Sequence, residues 1–368
     1  MSALGQPSRF RRIGFSSVRA LLALILLGAT AILFAQSWNG ISTTSDTTQR
    51  EIDGIAFLRT LQPVLTTLAN DASVAVSQEK VDFTELDKSV SDGTAAQHRY
   101  GSELATQARW DDFTAKLADL HKLKATTAPL DAFNQYTAAS DQLLALYDRI
   151  RAESGLASDQ ELDIYYLQDA AARALPSAVI TAGQFGDSLV VEQQSPKSAD
   201  VQTGTINAVS YRALLTEHSN DVGTDVSAAV DATASQTMSS ALLQHEDAFL
   251  TAIEPLTVEH PVVLGTTNDE SSALHSKTTI ETNAANLSDA LLNEIATQVQ
   301  QRSDSQGGTE ALTIIAFVAA VLLTLGVLFA SIRSGGRRGG NPRGGGAGRA
   351  AAHKSADRRE LERAGVPA

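Results

Sequence analysis

Two runs of apolar residues constrain this chain more than anything else in it. Val18 to Trp38 reads VRALLALILLGATAILFAQSW, with no charge after Arg19, and Ala311 to Ile332 reads ALTIIAFVAAVLLTLGVLFASI, with no charge at all. Each has about 20 residues, which at about 1.5 Å per residue matches the roughly 30 Å hydrocarbon core of a bilayer. The sequence therefore predicts transmembrane helices at 18–38 and 311–332, with both termini on one side. A cleaved signal peptide is the rival for the first run. Leu33 and Ala35 make a poor small-residue cleavage signature, so an uncleaved signal anchor is preferred.

Basic residues assign the sides. Arg9, Arg11, Arg12 and Arg19 give the N-terminal part +4, and residues after 310 carry +6. Subtracting both from the total of −13 leaves −23 for residues 37–310. The expected layout is a basic cytoplasmic N-terminus (1–17), the first span, an extracellular acidic domain (39–310), the second span, and a Gly/Arg-rich cytoplasmic tail (333–368). That is a multi-pass protein of the cell membrane. The tail lacks the apolar residues to build a core and is expected to be disordered. A charge of −23 argues against nucleic acid as a partner of the middle domain. With no cysteine in the chain, disulfides and thiolate metal sites are excluded.

The middle domain reads as all-α. Ile55, Leu58, Leu61, Leu65, Leu68, Ala72 and Val76 recur every three or four residues, as do Ile280, Ala284, Leu287, Leu291, Ile295 and Val299. Each set makes one apolar stripe on a helix. Pro63 falls within the first stripe and is expected to kink the helix or mark its first turns. One or two helices are expected over 82–124, with a break near Gly101 and an apolar face of Trp110, Phe113, Leu117 and Leu120. Another should cover 129–155, ending at Gly155. The pair Ser158 and Glu161 has capping-box spacing, and the helix it opens should reach about Val191 with Pro176 inside it. A linker is expected at 192–205, two helices at 206–254 and a loop at 254–270. Rods of such lengths suit an elongated antiparallel helical bundle, as one or two stacked four-helix bundles between the transmembrane helices.

Catalytic motifs are absent: there is no Gly-x-Ser-x-Gly, phosphate loop or His-Glu-x-x-His. His98, His121, His218, His245, His260 and His275 are scattered, and no two share a helical ligand spacing. No enzyme activity, cofactor or metal is expected. The one dense polar and aromatic cluster is SDQELDIYYLQDAAAR, Ser158 to Arg173. There Asp169 and Arg173 stand four apart, an ion-pair spacing on a helix. Tyr165, Tyr166 and Asp169 are the candidate ligand-binding residues, with Arg99 and Arg109 as anion partners. The bland alternative is a helix start rich in carboxylates, with the tyrosines packed in the bundle.

That cluster also carries a family likeness. GLASDQELDIYYLQDAAARALP resembles a segment of the extracellular helical sensing domains of bacterial methyl-accepting chemotaxis proteins and sensor histidine kinases. In those domains an Asp-x-x-x-Asp-x-Tyr-Tyr-Leu-x-Asp pattern follows a helix break. Here the pattern falls on Asp159, Asp163, Tyr165, Tyr166, Leu167 and Asp169. Residues 54–76, 99–117 and 286–302 are similar to other helices of such domains. The resemblance implies a homodimeric sensor that relays a helix shift. Only 36 residues follow Ile332, and they hold neither HAMP heptads nor a kinase motif. The shift would then be read by a separate signalling protein. The competing expectation is a non-enzymatic structural or interaction protein of the cell envelope, a helical spacer without a ligand.

Overall fold

The structure is a computed structural model that describes residues 15–156, 162–232, 238–257 and 267–335. All regular structure among the described residues is helical, in line with the all-α expectation, and it forms a helical bundle. In chain order the helices are α1 (Phe15–Val76), α2 (Thr84–Tyr100), α3 (Gln107–Leu120), α4 (Pro129–Glu153) and α5 (Leu162–Asp169), followed by a π-helical turn (Ala170–Ala174). Then come α6 (Leu175–Gln194), α7 (Ser198–Ala232), α8 (Met238–Thr257) and α9 (Thr267–Gly335).

Two compact units divide the chain: Met1–Leu33 with Ile315–Ala368, and Phe34–Ile314. In the second unit the two apolar stripes are buried along their whole length, Ile55 to Val76 in α1 and Ile280 to Val299 in α9. Three polar contacts pair these helices in opposite directions. Glu51 meets Arg302, and Arg59 donates to Asn293 Oδ1 at 2.7 Å. Lys277 donates to the carbonyl of Ala69 at 2.5 Å. Rising numbers in α1 meet falling numbers in α9, which is antiparallel packing. On another side of α1, Phe57 lies 6.3 Å from the Trp110 ring, and Trp110 fills the space that a side chain at Gly93 would need. The face of α3 that buries itself is Trp110, Phe113, Leu117 and Leu120.

Two of the breaks fall at glycines. Gly101 ends α2, and Gly155 follows α4 at φ +87°, a conformation that side-chain-bearing residues rarely adopt. Two expectations need adjusting. Pro63 lies inside α1 and not in its first turns, while α8 runs through Pro255 to Thr257, into the stretch expected to be a loop from 254. The linker expected at 192–205 shrinks to Ser195–Lys197, because α6 runs to Gln194 and α7 starts at Ser198. Ser195 is extended, as the residue before Pro196 tends to be. The Ser158–Glu161 capping pattern and the tail beyond Gly335 lie outside the described residues.

The multi-pass membrane topology with cytoplasmic termini is corrected. Among the described residues, no helix is long and apolar enough to cross a membrane. The transmembrane helices expected at 18–38 and 311–332 are instead the ends of α1 and α9. Apolar side chains here are exposed: Ile25, Leu26, Ile32 and Leu33 on α1, and Ile315, Leu322 and Leu323 on α9.

Candidate functional site

Pro176 shapes the segment that the sequence singled out. It has no N–H to give to the carbonyl of Ala172, and its ring crowds that position in a regular α-helix. The chain widens here into the π-helical turn Ala170–Ala174, where the Leu175 N–H bonds back to Ala170. Single π turns inside α-helices recur at functional sites. Asp169 stands at the start of this turn and Arg173 within it.

Asp169 is the centre of a five-membered ionic cluster. Arg173 Nε and Nη2 both bond Asp169 Oδ2, at 2.9 and 2.6 Å, while Arg151 of α4 pairs with Oδ1. The other end of the Arg173 guanidinium donates to Asp221 Oδ2 of α7 at 3.0 Å. Asp225, one turn further along α7, lies against Asp169 and is buried. The fork of Arg173 thus ties the π turn to α7, and a single contact from Arg151 ties Asp169, the last residue of α5, to α4. Arg suits this task because its planar donors hold two carboxylates at once.

The cluster holds three carboxyls and two guanidiniums, and the surplus shows in the titration. Burial works to raise the Asp169 pKa, but the hydrogen bonds from Arg173 and the charges of both arginines outweigh it. Asp169 therefore titrates below the usual carboxylate range. Burial, joined by the adjacent Asp169 charge, pushes Asp225 up to about 7. Two facing carboxyls cannot both be charged cheaply, so Asp225 holds its proton to higher pH than an ordinary carboxyl. Neighbouring groups are also under-satisfied. Among the described residues, Gln168 is buried with no hydrogen bond to either amide atom, and His218 Nδ1 has none. Burial lowers the His218 pKa.

The structure brings some of the predicted residues together and separates others. Tyr165 and Tyr166 meet edge to face, with ring centroids 5.4 Å apart, and Tyr166 packs on the core. Arg99 is exposed on α2, over the ring of Tyr100 at 5.2 Å, and Arg109 is exposed on α3. The arginines that engage Asp169 are Arg151 and Arg173. Arg151, Asp221 and Asp225 escaped the sequence reading because nothing in the order of residues shows which face of α4 or α7 meets Asp169.

A second buried polar group escaped it as well. Lys277 of α9 donates to Ser73, whose hydroxyl donates in turn to Asp187 of α6, and Glu281 Oε1 lies 3.9 Å from the ammonium. All four side chains are buried. Burial pushes both carboxyls above their ordinary pKa, with the Lys277 charge opposing. A signal for it did exist, since Lys277 continues the α9 stripe three residues before Ile280. Beside Asp187 is a cavity of about 10 Å³, lined in part by Tyr136, Ser140 and Gln184. That is room for about one water molecule, too small for a substrate. The serine–lysine pair is sealed in the core. Among the described residues, no group of three or more His, Asp or Glu side chains is placed to hold a metal.

No family model, curated protein or solved structure matches this chain. The likeness to chemoreceptor sensing domains therefore rests on the residues quoted for it.

Proposed function

We propose that the chain is a non-enzymatic, sensor-like helical bundle, in which a small ligand shifts one helix against its neighbours and a separate protein reads the shift. One observation carries this reading. The Asp169 cluster joins α4, the π turn and α7 through ionic contacts that can break and re-form, and it holds more carboxyls than guanidiniums. A helix shift of about 1–2 Å is enough to exchange such contacts between two packed arrangements. The Arg173–Asp221 contact is the most exposed of the three and is the one expected to give first. The scaffold in this reading is antiparallel, in one or two four-helix tiers, and the working unit is a homodimer.

The absence of cysteine makes the test clean. Spin labels at Asp148→Cys on α4 and Glu217→Cys on α7, both exposed, report the distance across the cluster. The purified chain is screened by thermal shift against amino acids, organic acids and inorganic anions, and each hit is measured with the labels. A compound that raises the melting temperature and moves the label distance by about 1–2 Å supports relay. A chain that no compound stabilises and whose label distance never changes refutes it.

A second reading, an interaction or spacer protein without a ligand, has its own support. Ile206 and Val209 stand 57% and 65% exposed one turn apart on α7, and Asp169 is already engaged by internal arginines. Such an apolar pair suits contact with another protein.

A further inference from the structure

α7 and α8 do not close completely on each other. Between them is an open groove of about 620 Å³. Its α7 wall is small and polar, with Asn220, Gly223, Thr224 and Ser227, and Asp231 stands at its far end. Glu246 and Leu250 of α8 form the other wall. Among the described residues, no lysine or arginine lines it.

Glu246 sets this groove apart from an ordinary surface furrow. Its side chain is only 8% exposed, yet among the described residues it makes no hydrogen bond and no ion pair. Its carboxylate is turned toward Gly223: a Cβ at that position would sit 3.5 Å from Glu246 Oε1. Glycine there leaves the oxygen uncovered on the groove side. Burial and the adjacent Asp247 push the Glu246 pKa up, the strain expected of a carboxylate that lacks a counter-ion.

We propose that the α7–α8 groove binds a polyamine, with Glu246 holding one ammonium and Asp231 a second. The acceptors are of the right kind, since carboxylates, hydroxyls and an amide oxygen all receive N–H donors. Gly223 and Asp231 are eight residues apart on one helix, about 12 Å along its axis. A chain with several ammonium groups bridges that separation and a single ammonium does not. Leu250 offers an apolar wall to the methylene segments between charges. A bare metal ion is a poor occupant of so large a space, and an anion would meet two carboxylates. This site is separate from the Asp169 cluster and does not depend on relay: binding with an unchanged α4–α7 label distance would keep the site and sink the relay.

The test is isothermal titration of the full chain with spermidine at near-physiological salt, with propylamine and magnesium as comparisons. Because the chain carries a net −13, a charge-matched control is needed. Asp148→Asn removes one exposed charge on α4, away from the groove-lining residues. Spermidine is expected to bind one site per chain and more tightly than propylamine. Glu246→Gln should weaken it about tenfold or more, Asp231→Asn by less, and Asp148→Asn not at all. Glu246→Gln removes a buried unpaired charge, so it is expected to fold. Gly223→Ala gives a second, independent variant, because its Cβ makes ordinary contacts at 3.4 and 3.5 Å while covering the carboxylate. It too should weaken binding. Equal spermidine affinity in the parent chain, Glu246→Gln and Gly223→Ala would overturn the proposal, as would equal binding of magnesium.

Discussion

Replacing Asp225 by asparagine isolates the charge surplus of the cluster around Asp169. Asparagine keeps the shape and a donor facing Asp169, so it imitates the protonated acid and removes only the ability to ionise. Burial, with the Asp169 charge beside it, raises the Asp225 pKa from 3.8 to about 7. At about 1.4 kcal/mol per unit, a shift of about three units caps the effect at about 4 kcal/mol. The shift belongs to the Asp169–Asp225 pair rather than to one residue, so about half, roughly 2 kcal/mol, is expected from the single change. Its pH course follows from the direction of the shift. A folded pKa above the unfolded one means that the fold keeps a proton the unfolded chain releases. The stabilisation is complete below about pH 4, fades as pH rises, and is gone above about pH 7. Asp225→Asn should therefore match the parent near pH 4 and exceed it by about 2 kcal/mol at pH 8. In a bundle of this size that is about 4–8 °C in melting temperature. Denaturation at both pH values measures it. A variant less stable than the parent at pH 8, or equally changed at both, would refute the shared-proton account.

Other changes probe the remaining contacts. Arg173→Lys loses the fork that grips Asp169 and Asp221 together. With the side chain 36% exposed, the loss should be about 2 kcal/mol, below the about 3–5 kcal/mol of a fully buried pair, and chemical denaturation at pH 7 measures it. Lys277→Met strands Asp187 and Glu281 in the core and should cost about 3–5 kcal/mol at pH 8. The loss should be smaller at pH 5, where those carboxyls, already raised by burial, take up protons; melting curves at the two pH values check this. Gly204→Ala places a methyl 2.7 Å from the backbone nitrogen of Glu192, where α7 crosses α6. It should destabilise by about 1–3 kcal/mol, again read by denaturation, and a neutral result would mean that the two helices separate without penalty.

The helices were legible in the chain itself because each carries its own evidence. Periodic Leu, Ile and Val between Ile55 and Val76 and between Ile280 and Val299 define buried faces without reference to any partner. Gly155 marks an end for a local backbone reason, its positive φ. The candidate site was legible only in part. Asp169 and Arg173 are one turn apart, so their pairing follows from helix geometry alone. The Tyr165–Tyr166 contact is likewise local. The expected linker at 192–205 failed because a polar, proline-containing stretch looks the same whether it loops freely or starts a helix packed on its neighbour. Close backbone approach at Gly204 decides that in favour of the helix.

Local chemistry in the order of residues thus accounts for an acidic chain of long amphipathic helices and for where most of them stop. Tertiary packing alone decided which charges meet. Arg151 lies 18 residues from Asp169, and Lys277 lies 208 residues from its acceptor at Ala69. It also left Glu246 buried, with no partner among the described residues, on the wall of an open groove. The physical reason is one of range. Helix formation and capping depend on neighbours within a turn, whereas pairing buried charges depends on the register and rotation of whole helices, which the sum of all core contacts sets.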